Sequence, residues 1–354
     1  MLTRFIQRIS LGLAVLAMSA YSASGQYDEP AGEVIAAEVS QQVSSQIASN
    51  LAAGISGGFG GFSGGVGPQG LAPNNSTASA IPVTRYFEGG NRGQSAGAKE
   101  KKTGVWILGS YSYIENDFVN TKYDGDIVAF VGGVDYRLTD RIVAGIALSY
   151  EDVDIDTTFN NGTIETSGVG IAPYAVFRLT DNITADINGS YTVLDTDTTR
   201  TGGTVTGQFD SDRYTLGANL NVNHSVKKFF MSGSVGFLYI NEEQDSYTES
   251  NATFVRQLDI SIGQGRLSAT IGYNFGKFQP FLTAQLQHEF WAPSAPLLGG
   301  GLESPEEDTT GIVVGGGINF ALSDTVSGSI TATSQEARDD FSLYSISGRV
   351  RFTF

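Results

Sequence analysis

The last eleven residues of the chain alternate strictly between two kinds of side chain. Because successive side chains of a strand point to opposite sides of a sheet, this pattern predicts a terminal strand with one apolar and one polar face. Such a strand suits a sheet that has lipid on one side and an aqueous lumen on the other. The apolar face consists of Tyr344, Ile346, Gly348, Val350, Phe352 and Phe354, and the polar face of Ser345, Ser347, Arg349, Arg351 and Thr353.

The same period of two recurs in twelve segments between Gly104 and Phe354. Short connections such as Thr139-Asp140 alternate with long ones such as 151–166 and 195–212. Up-and-down barrels of outer membranes show this alternation. We therefore predict an all-β fold, a 12-stranded antiparallel up-and-down transmembrane β-barrel with an N-terminal helix and a Gly-rich linker. A soluble β-sandwich is the alternative, but sandwiches lack this strict alternation of connections.

The chain before the barrel divides into three zones. Residues 1–25 combine two arginines, an apolar core and small residues, which predicts a cleaved secretory signal peptide. A retained membrane anchor is the alternative, although the apolar core is short for a span. Residues 26–55 are predicted to be a passenger remnant or linker helix, 56–103 a Gly/Ser-rich low-complexity linker, and 104–354 the outer-membrane barrel.

The helical zone carries an apolar residue at every fourth position. Neutral Gln and Ser side chains lie beside this stripe, which consists of Ile35, Val39, Val43, Ile47, Leu51 and Ile55. A helix is about 10–12 Å wide, and a barrel of this strand number should just hold one. The helix therefore either occupies the lumen or belongs to a periplasmic or disordered tail. The lumen-lining candidates that would face it are Arg137, Arg178, Arg349 and Arg351.

Composition excludes several classes of protein. The absence of cysteine argues against a small disulfide scaffold. The formal net charge of -16 makes nucleic acid an unfavourable partner.

The residues give little support to an enzyme. Of the two histidines, His224 lies next to a predicted turn, and His288 lies on a strand in which Glu289 points to the opposite face. Acidic clusters in the predicted loops, such as Asp152, Asp154 and Asp156, could hold divalent cations or could be solvated surface. We therefore predict no catalytic residue, no cofactor and no metal ligand.

An aromatic-ended last strand, an even set of strands and a Ser/Gln/Ala-rich helix together resemble the autotransporter β-domain, the translocator of type V secretion. The resemblance covers Gly104–Phe354 and, more loosely, Glu33–Ile55. It implies an integral barrel of the bacterial outer membrane, with long loops facing the exterior, that anchors and could export its short N-terminal segment. A small-solute channel or a structural outer-membrane protein without a secretion role is the main alternative, and an outer-membrane hydrolase is the third.

The resemblance also implies partners. They are outer-membrane lipid and lipopolysaccharide, periplasmic chaperones and the outer-membrane assembly machinery. The protein itself is expected to be a monomer. The assembly signal would be the apolar face of the terminal strand, from Tyr344 to Phe354. In this chain Gly348 lies six residues before the end, and Arg349 stands where the family signal usually has glycine.

Overall fold

A computed structural model describes residues 30–55, 102–118, 121–291, 309–323, 325–336, 338 and 340–354. Within these ranges the chain forms one helix, α1 (Pro30–Ile55), and fourteen strands. No helix in the described part is both long and apolar enough to cross a bilayer. The predicted signal peptide and nearly all of the predicted Gly-rich linker lie outside the described residues, so the zone boundaries stay predictions.

Twelve strands form the main sheet, and two short ones form a hairpin between residues 244 and 258. The main strands are β1 (Thr103–Asn116), β2 (Tyr123–Thr139), β3 (Ile142–Thr157), β4 (Gly162–Arg178), β5 (Ile183–Arg200), β6 (Val205–Val226), β7 (Phe229–Gln244), β10 (Leu258–Tyr273), β11 (Phe278–Trp291), β12 (Thr310–Ala321), β13 (Val326–Glu336) and β14 (Phe341–Thr353). The hairpin consists of β8 (Tyr247–Thr248) and β9 (Phe254–Val255).

The sheet closes on itself. Each main strand pairs antiparallel with its neighbours in sequence, and β1 pairs with β14 from Gly104↔Thr353 to Asn116↔Phe341. The predicted 12-stranded antiparallel barrel is therefore confirmed. Closure matters because an unpaired amide in hydrocarbon costs several kcal/mol, and a ring of strands has no free edge.

The two faces of the wall differ as the alternation predicts. Apolar side chains point outward and are exposed, as for Ile107 (55%) and Leu282 (68%). Polar side chains point inward and are buried, as for Ser112 (1%) and Arg351 (2%). An exposed apolar face of this extent suits lipid as its solvent.

Two of the predicted long connections, 151–166 and 195–212, are mostly strand, so that prediction is wrong. β3 continues to Thr157 and β4 begins at Gly162, while β5 continues to Arg200 and β6 begins at Val205. In β3 the outward aspartates Asp152, Asp154 and Asp156 alternate with buried residues, so the period of two continues after the outer face turns charged. This side of the wall therefore extends beyond the lipid-facing band.

Tyrosines mark the boundary between the band and this charged extension. Tyr150 donates a hydrogen bond from its hydroxyl to Asp152 (2.9 Å), and Tyr191 donates one to Asp212 (2.7 Å). A tyrosine whose ring lies in lipid while its hydroxyl reaches a polar group is typical of a membrane interface.

Ile330 lies near the middle of the outward band, where it is exposed on β13 opposite Gly348. We expect Ile330→Arg to lower the free energy of unfolding by about 2–4 kcal/mol, because the guanidinium must enter hydrocarbon. Urea unfolding in lipid vesicles, with gel mobility before and after heating, measures this effect. Ile330→Leu is the matched control, and equal stability of the two variants would contradict the assignment of this face to lipid.

Candidate functional site

Helix α1 lies inside the barrel, with contacts to β1, β2, β3, β6, β7, β10 and β14. Its apolar stripe packs on one side of the lumen wall, where the inward residues are apolar as well. The first half of the stripe packs against a cluster that includes Ile114, Ile127, Ile155 and Phe341. The second half packs against one that includes Trp106, Leu108, Val131 and Tyr174. Of the two placements that the sequence left open, the structure shows the lumen.

The helix crosses the barrel from one rim to the other. Ile35 clusters with Ile114 and Phe341, which lie at the rim with the connections β1–β2 and β13–β14; we refer to this as the long-connection rim. Gly54 contacts Trp106 near the start of β1, at the opposite, short-turn rim. At 1.5 Å per residue, a 26-residue helix is about 39 Å long, enough to span the wall.

Polar side chains of the helix also contact polar residues of the lumen wall. Gln41 donates a hydrogen bond to Glu289, which also accepts one from Arg338. Further contacts are Ser40 Oγ to Glu242 Oε2 (2.6 Å), Arg266 Nη2 to Ser45 Oγ (2.9 Å) and Asn50 Nδ2 to Ser110 Oγ (2.9 Å). Apolar packing is present in this part of the lumen as well, since Ala48 clusters with Leu238, Ile240, Ile260 and Ile262. The apolar and polar contacts together fix the rotation of the helix.

A buried charge cluster lies beside the first half of the helix. Arg213 donates from Nε to Glu242 (2.8 Å) and from Nη1 to Glu151 (2.6 Å), and all three side chains are buried. Glu242 also accepts hydrogen bonds from Ser40 and from Gln244 (2.9 Å). The cluster thus joins three strands to the helix through one arginine and one shared carboxylate.

Five residues form a closed ring of contacts at the short-turn rim, which we call the rim network: Gly54, Trp106, Tyr174, Asp135 and Arg351. Trp106 Nε1 donates to the Tyr174 hydroxyl (2.9 Å), which donates to Asp135 (3.1 Å). Arg351 donates to the other oxygen of Asp135 (2.6 Å) and to the carbonyl of Gly54 (3.1 Å). The last carbonyls of a helix have no partner within it, so this cation caps the end of α1 and matches its dipole.

Glycine allows the helix to approach the wall at this rim. A Cβ on Gly54 would lie 2.2 Å from Cζ3 of Trp106, and one on Gly133 of β2 would lie 2.5 Å from Cε2 of the same ring. The indole therefore fills the space between two backbones that carry no side chain. This packing holds the end of the helix against the wall.

The chain matches the model of the autotransporter beta-domain over residues 105–333. It belongs to the autotransporter beta-domain family. As a member of that family it is an integral barrel of the outer membrane. A search of curated proteins finds no significant sequence match.

Solved barrels of the family share the fold at low sequence identity. The translocator domain of the autotransporter NalP from Neisseria meningitidis superposes with a TM-score of 0.62 at 14% identity, covering 72% of this chain and 88% of that one. The beta domain of the Bordetella autotransporter BrkA gives 0.59 at 17% identity, with 72% and 100% covered. The transport unit of AIDA-I from Escherichia coli gives 0.53 at 12% identity, with 74% and 93% covered.

The four arginines singled out from the sequence lie in different surroundings. Arg349 donates to the carbonyl of Ala53, next to the contact that Arg351 makes with Gly54. Arg137 is buried on the inward face of β2. Arg178 lies at the end of β4 and pairs with Asp181 of the following turn (2.6 Å).

The predicted assembly residues of β14 point outward. Tyr344, Ile346, Phe352 and Phe354 are exposed, and Gly348 has nothing within 4 Å of where a Cβ would stand. Their role in assembly stays a prediction.

Sequence reasoning missed most of the lumen contacts. Glu242 stands in an acidic run that also suits a loop, but it lies on β7 and faces the lumen. Arg213, Trp106 and Tyr174 were not singled out. The alternation of inward and outward positions could have identified them. Each stands at an inward position of its strand, where a large or charged side chain must contact the helix or the opposite wall.

The histidines lie away from these contacts. His224 and His288 are exposed on the outer face, and Nδ1 of His288 lies 2.9 Å from the Thr310 hydroxyl. Glu289 faces the opposite way and is buried. Within the described ranges, no group of three or more acidic or histidine side chains is placed to hold a metal ion. Glu303, Glu306, Glu307 and Asp308 form another acidic cluster of the sequence, which lies outside those ranges.

Gly54→Ala should disturb the rim network, because the added methyl group overlaps the Trp106 ring. We expect a loss of about 1–3 kcal/mol in unfolding free energy, with a changed emission spectrum of Trp106 in a Trp291→Phe background. Gly132→Ala is the control, since its Cβ would meet nothing closer than 3.7 Å. Unchanged emission and stability for Gly54→Ala would contradict the close contact.

Arg213→Met should destabilise the barrel by about 3–5 kcal/mol, because it leaves Glu151 and Glu242 buried without their cation. The triple variant Glu151→Gln, Arg213→Met, Glu242→Gln should regain most of that loss. Urea unfolding in micelles measures both. A triple variant no more stable than Arg213→Met would show that the charges are not what the arginine compensates.

Proposed function

We propose that this barrel anchors the chain in the outer membrane and holds α1 in its lumen, so that the sequence preceding α1 is presented at the cell surface. In this orientation the long-connection rim faces the exterior and the short-turn rim faces the periplasm. The observation that carries the proposal is the path of α1, which begins at the long-connection rim and ends at the short-turn rim. The segment before α1 would cross the barrel during assembly.

The contacts of α1 support a permanent anchor. Withdrawing the helix would expose its apolar stripe, at about 1.5–3 kcal/mol for each large side chain. It would also remove the Ser40 contact to Glu242 and leave Arg349 and Arg351 without the carbonyls of Ala53 and Gly54. A helix held at both rims and along its length resists extraction.

The shape of the wall supports the orientation. Outer-membrane barrels place short turns in the periplasm and longer connections outside. The turns at 140–141 and 227–228 are of two residues, whereas the β7–β10 connection contains a hairpin of its own. The strands that continue past the interfacial tyrosines do so at the long-connection rim, with aspartates on their outer face.

The surroundings of the barrel would match its two outer zones. Its outward apolar face would contact outer-membrane lipid, and the polar extension above it would contact lipopolysaccharide. Chaperones of the periplasm and the assembly machinery would handle the chain before closure, with the apolar face of β14 as the signal. The folded protein acts as a monomer and performs no catalysis, in line with the outward positions of both histidines.

Single cysteines test the orientation cleanly, because the chain has none of its own. Thr204→Cys places a thiol between β5 and β6, and Lys228→Cys places one between β6 and β7, so the two lie at opposite ends of the same strand. On intact cells, we expect a membrane-impermeant maleimide to label Thr204→Cys and to label Lys228→Cys only after the outer membrane is permeabilised.

A peptide tag inserted directly before Pro30 tests the presentation. We expect an antibody to reach this tag on intact cells, and the cysteine-free parent with an untagged terminus to give no signal in either assay. Labelling of Lys228→Cys alone on intact cells would reverse the orientation. If Thr204→Cys is labelled on intact cells but the tag is reached only after lysis, surface presentation is rejected, whereas the proposed orientation of the barrel is retained.

A further inference from the structure

The lumen is not filled evenly along its length. A cavity of about 900 Å³ lies beside the first half of α1, between the helix, the inner faces of β3 to β7 and the β8–β9 hairpin. It reaches the long-connection rim, since Arg200 at the end of β5 and Thr157 at the end of β3 line it. Sites of this size hold small molecules in many proteins.

The β8–β9 hairpin forms a fixed wall of this cavity. Glu249, in the turn of the hairpin, accepts a hydrogen bond from Arg200 Nε (2.8 Å) and pairs with the same guanidinium a second time. The amide of Ser250 donates to the carbonyl of Thr206 (2.9 Å), and the amide of Thr206 donates to the Ser250 hydroxyl (3.0 Å). Such contacts with β5 and β6 hold the wall in place before any ligand arrives.

The charges around the cavity balance. Among the described residues that line it, three are arginines and three are carboxylates: Arg200, Arg213, Arg256, Glu242, Asp245 and Glu249. Arg213 binds Glu242, and Arg200 binds Glu249. A charged ligand would have to compete with these pairs, so the lining favours a neutral one.

Neutral hydrogen-bonding groups make up much of the remaining wall. Thr166 and Thr196 face each other across β4 and β5 with their hydroxyl oxygens 3.0 Å apart. Thr198, Asn160 and Gln244 also line the cavity. A hydroxyl both donates and accepts, and an amide offers both functions on adjacent atoms, so this wall can match either role in a polyhydroxylated ligand.

Two stacked rings supply an apolar face in the same cavity. Phe209 of β6 and Tyr247 of β8 stack with centroids 5.0 Å apart at 20°, and both are half-buried. Gly207 lies against the tyrosine, since a Cβ there would be 2.5 Å from its Cε2 atom. The rings are therefore held by backbone and by each other, and they present an aromatic surface at low entropic cost.

We infer that this cavity binds a neutral oligosaccharide, entering from the long-connection rim. A sugar ring has an apolar C–H face and an equatorial belt of hydroxyls, which is the combination that the Phe209–Tyr247 pair and the threonines present. A free saccharide and the neutral sugars of a surface glycolipid share this chemistry. The inference does not depend on which segment α1 presents.

The test uses the full chain purified in a detergent without a sugar headgroup, because an alkyl maltoside would itself be a neutral saccharide. Maltotriose and N,N',N''-triacetylchitotriose are the probes, measured by saturation-transfer NMR and by titration calorimetry. We expect saturation transfer to ring C–H protons. Tyr247→Ala should weaken binding about tenfold, and Thr196→Val about fivefold through one lost hydrogen bond.

Matched variants separate the cavity from general effects on the barrel. Thr283→Val removes a hydroxyl from an equivalent cross-strand threonine pair, Thr270–Thr283 (2.9 Å), which does not line the cavity. Tyr214→Ala removes a ring from the Tyr191–Tyr214 pair, which likewise lies outside the cavity. Both should bind the probes as the parent does, with unchanged gel mobility before and after heating.

Three results would overturn the inference: no binding of either probe at millimolar concentration, equal weakening by Thr196→Val and Thr283→Val, or preferential binding of a neutral Ser/Thr tetrapeptide. Reconstitution in phosphatidylcholine and in lipopolysaccharide bilayers distinguishes a free saccharide from the sugars of a glycolipid. A glycolipid sugar that occupies the cavity would weaken maltotriose binding only in the lipopolysaccharide bilayer. None of these results bears on the thiol labelling that tests orientation.

Discussion

The pairing of backbone amides in a medium without water is the constraint on which the rest of this structure depends. Hydrocarbon offers no substitute partner, so the sheet has to continue until β14 meets β1. Once the ring is closed, each strand has an outer face that touches lipid and an inner face that does not. The strict alternation of side chains and the buried polar wall both follow from that closure.

Closure also creates an interior that has to be filled. Twelve strands leave a lumen wide enough for a helix, and α1 occupies it asymmetrically. Its stripe from Ile35 to Ile55 lies against the inward apolar residues of the first strands, while Ser40 and Ser45 reach Glu242 and Arg266 on the other side. The inner wall is thus more varied than the lining of an aqueous pore, because part of it is an apolar packing surface for the helix.

The strands, their apolar and polar faces and the apolar stripe of the helix were predictable, because each shows a periodic pattern within a single segment. Counting the segments with a period of two gave the number of strands. The length of β3 was not predictable, because a run of aspartates at 152, 154 and 156 is also typical of a solvated loop. Those aspartates keep the period of two, and Val153 and Ile155 between them stay buried. Charge on the outer face marks the end of the lipid band, not the end of the strand.

The lumen contacts were out of reach for a different reason. Arg213 meets Glu151 across 62 positions, and Arg351 meets Gly54 across 297. Which inward residues face each other depends on the stagger of the closed ring and on the rotation of the helix, and neither is written in any one segment. Arg349 and Arg351 were predicted to line the lumen, but their contacts with the carbonyls of Ala53 and Gly54 at the C-terminus of α1 depend on the same stagger and rotation.

Trp106 and Arg351 are direct cross-strand partners at the junction of the first and last strands, and both touch Gly54. The end of the helix thus bridges the one place where the two termini of the sheet come together. Before those strands pair, Trp106 and Arg351 are not adjacent and cannot both contact Gly54. The end of α1 can therefore dock fully only after the barrel has closed. Once docked, it links β1 to β14 and stabilises the closed state.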